Sequence, residues 1–330
     1  MSLLESHVIA VDGGQTHSTA VLAKLDGTIL GVGQGGPANH FLEAGGPERF
    51  ASAMKSCIYG ASEQAGIALQ PFKSAHYCLT GVHAQMDALL QGIAPAQFQS
   101  IQPDRVAALA GATQKRPAVL ILSGTGAIAY GIDSAGADTV TGGWGYYMGD
   151  EGSAAWIAPR ALSIATRAVD GICPPTLLSI AIPEYFGVTS LQELHPLIYT
   201  HQIDRVKLAE IARVVGHCAR YGDSASIGLL AEAGRHLADA VVAVIRKLGL
   251  GNNPVVVTSA GGVFKSGALI VEPMMDAIKE HCALTTFVEP EYPPIIGALI
   301  LALQSGGVEI DEHVQNNIRA GAQLWRHFWK

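Results

Sequence analysis

The sequence predicts an α/β protein built from two similar halves, and three observations carry that expectation: the chain length, a strand–turn–strand unit that occurs twice, and helical periodicities interleaved with strands. At 330 residues the chain exceeds one average domain and suits two, on the rough scale of 100 to 200 residues per domain. His7 to Val11 reads as a buried strand, 12–18 as a polar glycine turn, and Thr19 to Leu25 as a strand running back. Ala118 to Leu122, Ser123 to Gly126 and Ala127 to Ile132 repeat that form, closed by the turn Asp133-Ser134-Ala135-Gly136. The two copies share almost no sequence, so the repeat is one of architecture.

The remaining elements follow in order. Asp26-Gly27 turns the first unit into a third strand. Helical patterns cover 47–65, 153–169, 204–220, 267–281, 293–304 and 311–328. The clearest runs from Ser224 to Leu248, with Ile227, Leu230, Leu237, Val241, Ile245 and Leu248 on one face and Gly249 past its end. Pro254 to Ser259 predicts a strand that leads into Gly261-Gly262. Strands and helices mixed on this scale mean an α/β protein. The polar turn GATQKRP at 111–117 is the expected boundary, which assigns 1–115 to a first lobe and 116–310 to a second. The last helix, 311–330, is expected to return to the first lobe.

Composition narrows the class. Hydrophobic residues make up 49% and charged residues 15%, which supplies buried cores and argues against disorder. A formal charge of -7 with no basic run argues against nucleic-acid partners, since such binding draws on phosphate neutralisation by Lys and Arg. No signal-peptide pattern opens the sequence, and no apolar stretch of about 18 residues interrupts it. A soluble cytoplasmic protein without a membrane partner is the expectation. Cys57, Cys78, Cys173, Cys218 and Cys282 are scattered and never paired as CxxC, so they read as small buried hydrophobes.

Four glycine-rich stretches carry the chemistry. In Asp12-Gly13-Gly14-Gln15-Thr16-His17-Ser18 the glycines let backbone N–H groups approach a polyphosphate, Thr16 and Ser18 offer hydroxyls, and Asp12 can hold an accompanying metal. An ordinary glycine hairpin would look the same. It is neither a P-loop nor a dinucleotide fingerprint, lacking GxxxxGK[ST] and GxGxxG. Ser123-Gly124-Thr125-Gly126 is a second such turn, and two turns at equivalent places favour phosphate binding over chance. Gly261 and Gly262 follow a strand end, where close backbone approach to a flat ligand such as adenine, or a plain strand-to-helix turn, would explain them. The run from Gly142 to Ser153 combines Trp144, Gly145, two further aromatics, Asp150 and Glu151 before a helix that Ser153 can cap. A sugar site needs those elements: aromatic faces against C–H surfaces and carboxylates accepting from hydroxyls.

Taken in order, DGGQTHS, GPANH, PDRVAAL, LSGTGAIAYG, GGWGYYMGDEGSAAWIA and SAGGVF make the chain resemble the N-acetylglucosamine kinases and the related BadF/BadG/BcrA/BcrD ATPase family over nearly its whole length. The resemblance implies a two-lobed actin/hexokinase-like (ribonuclease H-like) ATPase fold with a central cleft, ATP and Mg²⁺ as cofactors, and a homodimer. It implies transfer of the γ-phosphate to the C6 hydroxyl of N-acetylglucosamine. Glucosamine is the alternative substrate, and an ATPase that activates a partner enzyme, or a sugar sensor without turnover, stands further off. By the same resemblance Asp104 is the catalytic carboxylate, although alone it reads as a helix cap. Asn39 and His40 match a sugar-contacting pair, and Trp144, Gly145 and Asp150 a second sugar loop. Gln15 stands where many relatives have a third glycine, and Pro103 where they often carry Asn or Thr.

Overall fold

The structure, a computed structural model, describes residues 7–14, 16–39, 41–69 and 71–328. Contacts divide the chain into two compact units, Met1–Gln114 with Pro290–Lys330, and Lys115–Glu289. In the first unit β1 (His7–Gly13), β2 (Ser18–Lys24) and β3 (Ile29–Gly35) form an antiparallel meander, and α1 (Gly46–Ala65) packs across β3. β4 (Phe72–Leu79) then joins parallel to β1, and β5 (Ala96–Pro103) joins parallel to β4. The connecting elements are α1 and, between β4 and β5, α2 (Met86–Ile93), as parallel neighbours require a crossover. The sheet order is β3-β2-β1-β4-β5. Directly after β5 comes α3 (Asp104–Ala112).

Both faces of this sheet are covered, so β1 reads as an unbroken apolar run rather than an alternation. Ile9 and Val11 enter one core with Phe50, Met54 and Ile58 of α1 and Leu90 of α2. Val8 and Ala10 enter the opposite core. Side chains alternate along a strand, so Asp12 falls on the same face as Val8 and Ala10, one step before the strand ends.

The second unit repeats the plan. β6 (Ala118–Ser123), β7 (Ala127–Ile132) and β8 (Asp138–Gly142) form the meander. Four helices of an insertion-like cluster follow α4 (Ala154–Val169): α5 (Leu178–Tyr185), α6 (Leu191–Tyr199), α7 (Arg205–Ala209) and α8 (Ile211–Arg220). The long α9 (Ser224–Lys247) leads to β9 (Val255–Ala260), parallel to β6, and α10 (Ala268–His281) leads to β10 (Thr285–Phe287), parallel to β9. Read from the meander edge, the order β8-β7-β6-β9-β10 matches β3-β2-β1-β4-β5 strand for strand. A single core holds Val119 and Ile121 of β6 against Leu237, Val241 and Ile245 of α9.

Three details depart from the sequence reading. The helix expected over 204–220 starts at α7, capped by Asp204, which accepts from the Lys207 N–H at 2.7 Å, but it breaks at Glu210, whose N–H turns back to the Lys207 carbonyl at 3.2 Å, and the chain restarts as α8. The segment 290–310, assigned to the second lobe, packs in the first unit: α11 (Pro294–Ser305) is apolar almost all round, and Ile296, Leu299 and Leu303 fill the core facing Val8 and Ala10. Its apolar surface needs a covered site, and the open face of the first sheet supplies one. The last helix, α12 (Glu312–Leu324), is capped by Asp311 and lies in that unit, with Asn317 donating to the Asp26 carbonyl at 2.8 Å. It ends before a 3-10 turn at Arg326–Phe328, short of the expected 328.

Candidate functional site

In the first unit, the carboxyl ends of the parallel strands β1, β4 and β5 bring three side chains together. Asp12 is the penultimate residue of β1, opposite Thr19 and Cys78. Thr80 follows β4, and its N–H donates to the Gly13 carbonyl at 2.9 Å. Asp104 opens α3 directly after β5. The outer edge of parallel strands at their carboxyl ends is the general ligand position in open α/β sheets. Asp104 is not the helix cap its sequence position suggests: Pro103 is the N-cap residue and supplies no side-chain bond. Instead Asp104 Oδ1 accepts from the Arg105 N–H at 2.8 Å and Oδ2 accepts from the Thr80 hydroxyl at 2.7 Å.

Their charges act on one another. Burial first, and the charge of Asp104 second, push the Asp12 carboxyl up to about 7. Burial, then Asp12 and more weakly Asp104, raise the buried Cys78 thiol. Two carboxylates sharing one site without a cation favour the protonated form of one of them.

Around them lies the first glycine turn. Gly14 donates to the His17 carbonyl at 3.0 Å and accepts from the Ala38 N–H at 3.0 Å, which ties the segment carrying half-buried Asn39 to the turn. The Ser18 hydroxyl donates to the Gly36 carbonyl at 2.9 Å, so it is occupied in holding that segment. Thr16 is exposed and bonds the His17 ring at 3.0 Å. Gln15 and His40 lie outside the described residues.

The second unit gathers its own set. Ser123 and Ala127 pair across the β6–β7 turn, which Gly124 closes by donating to the Gly126 carbonyl at 2.9 Å. Gly124 and Thr125 offer their carbonyls to the N–H groups of Ala154 and Ala155, at 2.9 and 3.2 Å, so the turn docks on the first turn of α4. The buried Ser123 hydroxyl donates to the Gly152 carbonyl at 3.0 Å, and Ser153 caps α4 by accepting from the Trp156 N–H. Gly261 lies against the same place: a Cβ there would sit 2.2 Å from the Ser123 carbonyl oxygen, and its φ of 107° suits glycine alone. The turn at Ser123–Gly126 and the Gly261-Gly262 pair are therefore neighbours at the carboxyl ends of β6 and β9, and a Cβ added at Gly124 or Gly262 would meet nothing within 4 Å among the described residues.

The loop before α4 divides in two. Asp150 is buried, in the left-handed region at φ 60°, and its Oδ1 accepts from the Ala127 N–H at 3.2 Å. Trp144 is 70% exposed and Tyr147 85%, and the Arg205 guanidinium stacks 3.6 Å from the Tyr146 ring centroid. Trp144 and Gly145 thus stand at the surface of the loop and Asp150 beneath it.

A model of the BadF/BadG/BcrA/BcrD ATPase family matches residues 9–302. The chain belongs to that family. Among relatives of this family member, an N-acetylmuramic acid/N-acetylglucosamine kinase of Clostridium acetobutylicum is 27% identical over 90% of this chain and 98% of its own. An N-acetyl-D-glucosamine kinase of Dictyostelium discoideum is 29% identical over 69% of this chain and 74% of its own. A solved structure from Chromobacterium violaceum, provisionally assigned as an N-acetylglucosamine kinase, is 27% identical, covers 90% of this chain and 99% of that one, and superposes with a TM-score of 0.70. The duplicated mixed sheet is the actin-like ATPase fold.

ATP is the nucleotide that membership in an ATPase family implies. Mg²⁺ fits the residues present, because the Asp12 carboxyl beside Asp104 has the raised proton affinity that a nearby cation would relieve. Among the described residues no cluster of three His, Cys, Asp or Glu side chains exists. A divalent ion at Asp12 would take its other ligands from phosphate oxygens and water, the usual company of Mg²⁺. None of the described helices is long and apolar enough to cross a membrane.

Thr80 is the site residue that the sequence reading missed. A threonine after a mixed-polarity strand carries no local signal, and only its contact with Asp104 marks it.

Proposed function

We propose that this protein is an ATP-dependent hexosamine kinase that transfers the γ-phosphate to the C6 hydroxyl of N-acetylglucosamine. The observation that carries the reading is Asp104: a carboxylate with both oxygens held in place, next to a glycine turn and to a second carboxylate suited to a cation. The names of the two kinase relatives point to the substrate class.

In this reading Asp104 accepts the proton of the C6 hydroxyl as its oxygen bonds to the γ-phosphorus and the bond to ADP breaks. Phosphoryl transfer depends mostly on positioning and charge neutralisation, which suits glycine turns and hydroxyl donors. The backbone of Gly13 and Gly14 with Thr16 and Ser18, and the turn Ser123–Gly126, serve the phosphates, Gly261 and Gly262 the adenosine. Asp12 would hold Mg²⁺, which when bound neutralises phosphate charge. Asn39, His40, Trp144, Gly145 and Asp150 serve the sugar. Because Ser18 and Asp150 already bond backbone groups, they act chiefly by shaping their turns.

A partner-activating ATPase with an iron–sulfur cluster shared between chains is less well supported, since Cys57, Cys78, Cys218 and Cys282 are buried. The test is ADP release with N-acetylglucosamine, glucosamine and N-acetylmuramic acid under matched ATP and Mg²⁺, with the product's phosphate located by NMR. Phosphate on C6 of N-acetylglucosamine, with the highest kcat/KM, is expected. A preference for glucosamine overturns the substrate choice, and no sugar-dependent ADP release overturns the kinase.

A further inference from the structure

Asp104 opens a helix at a strand end, where a side chain has rotamer freedom unless something holds it. What holds it here is specific. Oδ1 accepts from the N–H of the adjacent Arg105, a contact that leaves the carboxylate able to swing about that point. Oδ2 accepts from the Thr80 hydroxyl at 2.7 Å, and Thr80 comes from a different strand end, 24 positions earlier. The same residue donates its backbone N–H to the Gly13 carbonyl at 2.9 Å. One residue therefore links the first glycine turn through its main chain to the carboxylate through its side chain.

We propose that Thr80 is a positioning residue that fixes the Asp104 carboxylate for proton acceptance, in register with the phosphate turn. The proposal rests on the kinase reading of Asp104. A short O–H···O⁻ bond defines both the distance and the plane of the carboxylate. A hydroxyl both donates and accepts, so Thr80 can donate to the carboxylate and, once Asp104 has taken the proton, accept from the resulting acid without moving. Misplacement of a reacting group by about 1 Å costs on the order of 100-fold in rate, and releasing Oδ2 permits a displacement of that kind.

The substitution Thr80→Val keeps the shape and the backbone bond to Gly13 while deleting the hydroxyl. Turnover should fall about 10- to 100-fold, with KM for sugar and for ATP within about threefold and an unchanged melting temperature. Thr80→Ser, which restores the hydroxyl, should recover most of the rate. Thr80→Ala is the second variant, should Val pack badly, and the same fall is expected. A kcat within twofold of wild type in either folded variant overturns the proposal, as does a loss that Thr80→Ser fails to restore. Asp104→Asn, measured alongside, separates the two claims: if it is inactive and Thr80→Val is normal, only the positioning role fails, whereas if it turns over like wild type, the reading of Asp104 fails first.

Discussion

The two strand–turn–strand units have one topology and two kinds of turn. The turn between β1 and β2 borders acidic groups, Asp12 and Asp104, and is tied to the segments at Ala38 and Thr80. The turn between β6 and β7 also borders a carboxylate, Asp150, but that group is taken up by the Ala127 N–H; the turn docks its carbonyls on the first turn of α4 and lies against Gly261. On the proposed kinase reading, the first copy supplies the carboxylates that act and the second a backbone surface for the phosphates.

The largest expected effect breaks that contrast on its acidic side. Asp104→Asn should lower turnover by about two to four orders of magnitude, the usual range for a general base, with nucleotide and sugar affinities retained. Steady-state kinetics beside calorimetric binding checks this.

Asp12 makes the acidic copy pH-sensitive. Its native carboxyl titrates at about 7, against 3.8 for an ordinary aspartate, so the folded state binds the proton more tightly than the unfolded one. The stabilisation is fully present below about pH 4 and is lost progressively as pH rises from there to about 7. In the protein without nucleotide, Asp12→Asn should therefore flatten the fall in melting temperature between about pH 4 and 7 while abolishing Mg²⁺-dependent nucleotide binding. A melting temperature as pH-dependent in the variant as in wild type would contradict the assignment.

The glycine turns should respond through their backbone. Gly261→Ala places a methyl 2.2 Å from the Ser123 carbonyl at a φ of 107°, and should destabilise by about 2–4 kcal/mol, measured by denaturant unfolding. Among the described residues, Gly124→Ala meets nothing within 4 Å and Gly14→Ala meets the His17 carbonyl at 3.6 Å. Both should leave stability within about 1 kcal/mol of wild type and raise KM for ATP instead. Gly126→Ala lies between these cases, since its methyl would sit 2.8 Å from Asp150 Oδ2.

What the sequence determined by itself is what short-range physics encodes. β1, β2, β6, β7 and β9 are apolar runs bounded by small-residue turns, and α9 has a continuous stripe closed by Gly249, so each announces itself within its own residues. β4 and β5 do not: FKSAHYCL mixes polar groups into a buried strand, with His76 satisfied by Gln102, and AQFQSIQP is an edge strand half-exposed along its length. α5 and α6 span only eight and nine residues, too short for a periodicity to stand out. The glycine motifs were likewise visible as types, and resemblance singled out Asp104. Only the tertiary structure decided that Asp104 is held by Thr80 rather than capping its own helix, that Asp12 feels its charge, and that Gly261 presses on Ser123. Those contacts join strand ends that are adjacent only once the parallel pairs β1–β4–β5 and β6–β9 have formed. Propensity and periodicity act over one or two turns of chain, and a pairing between distant strand ends leaves no trace at that range.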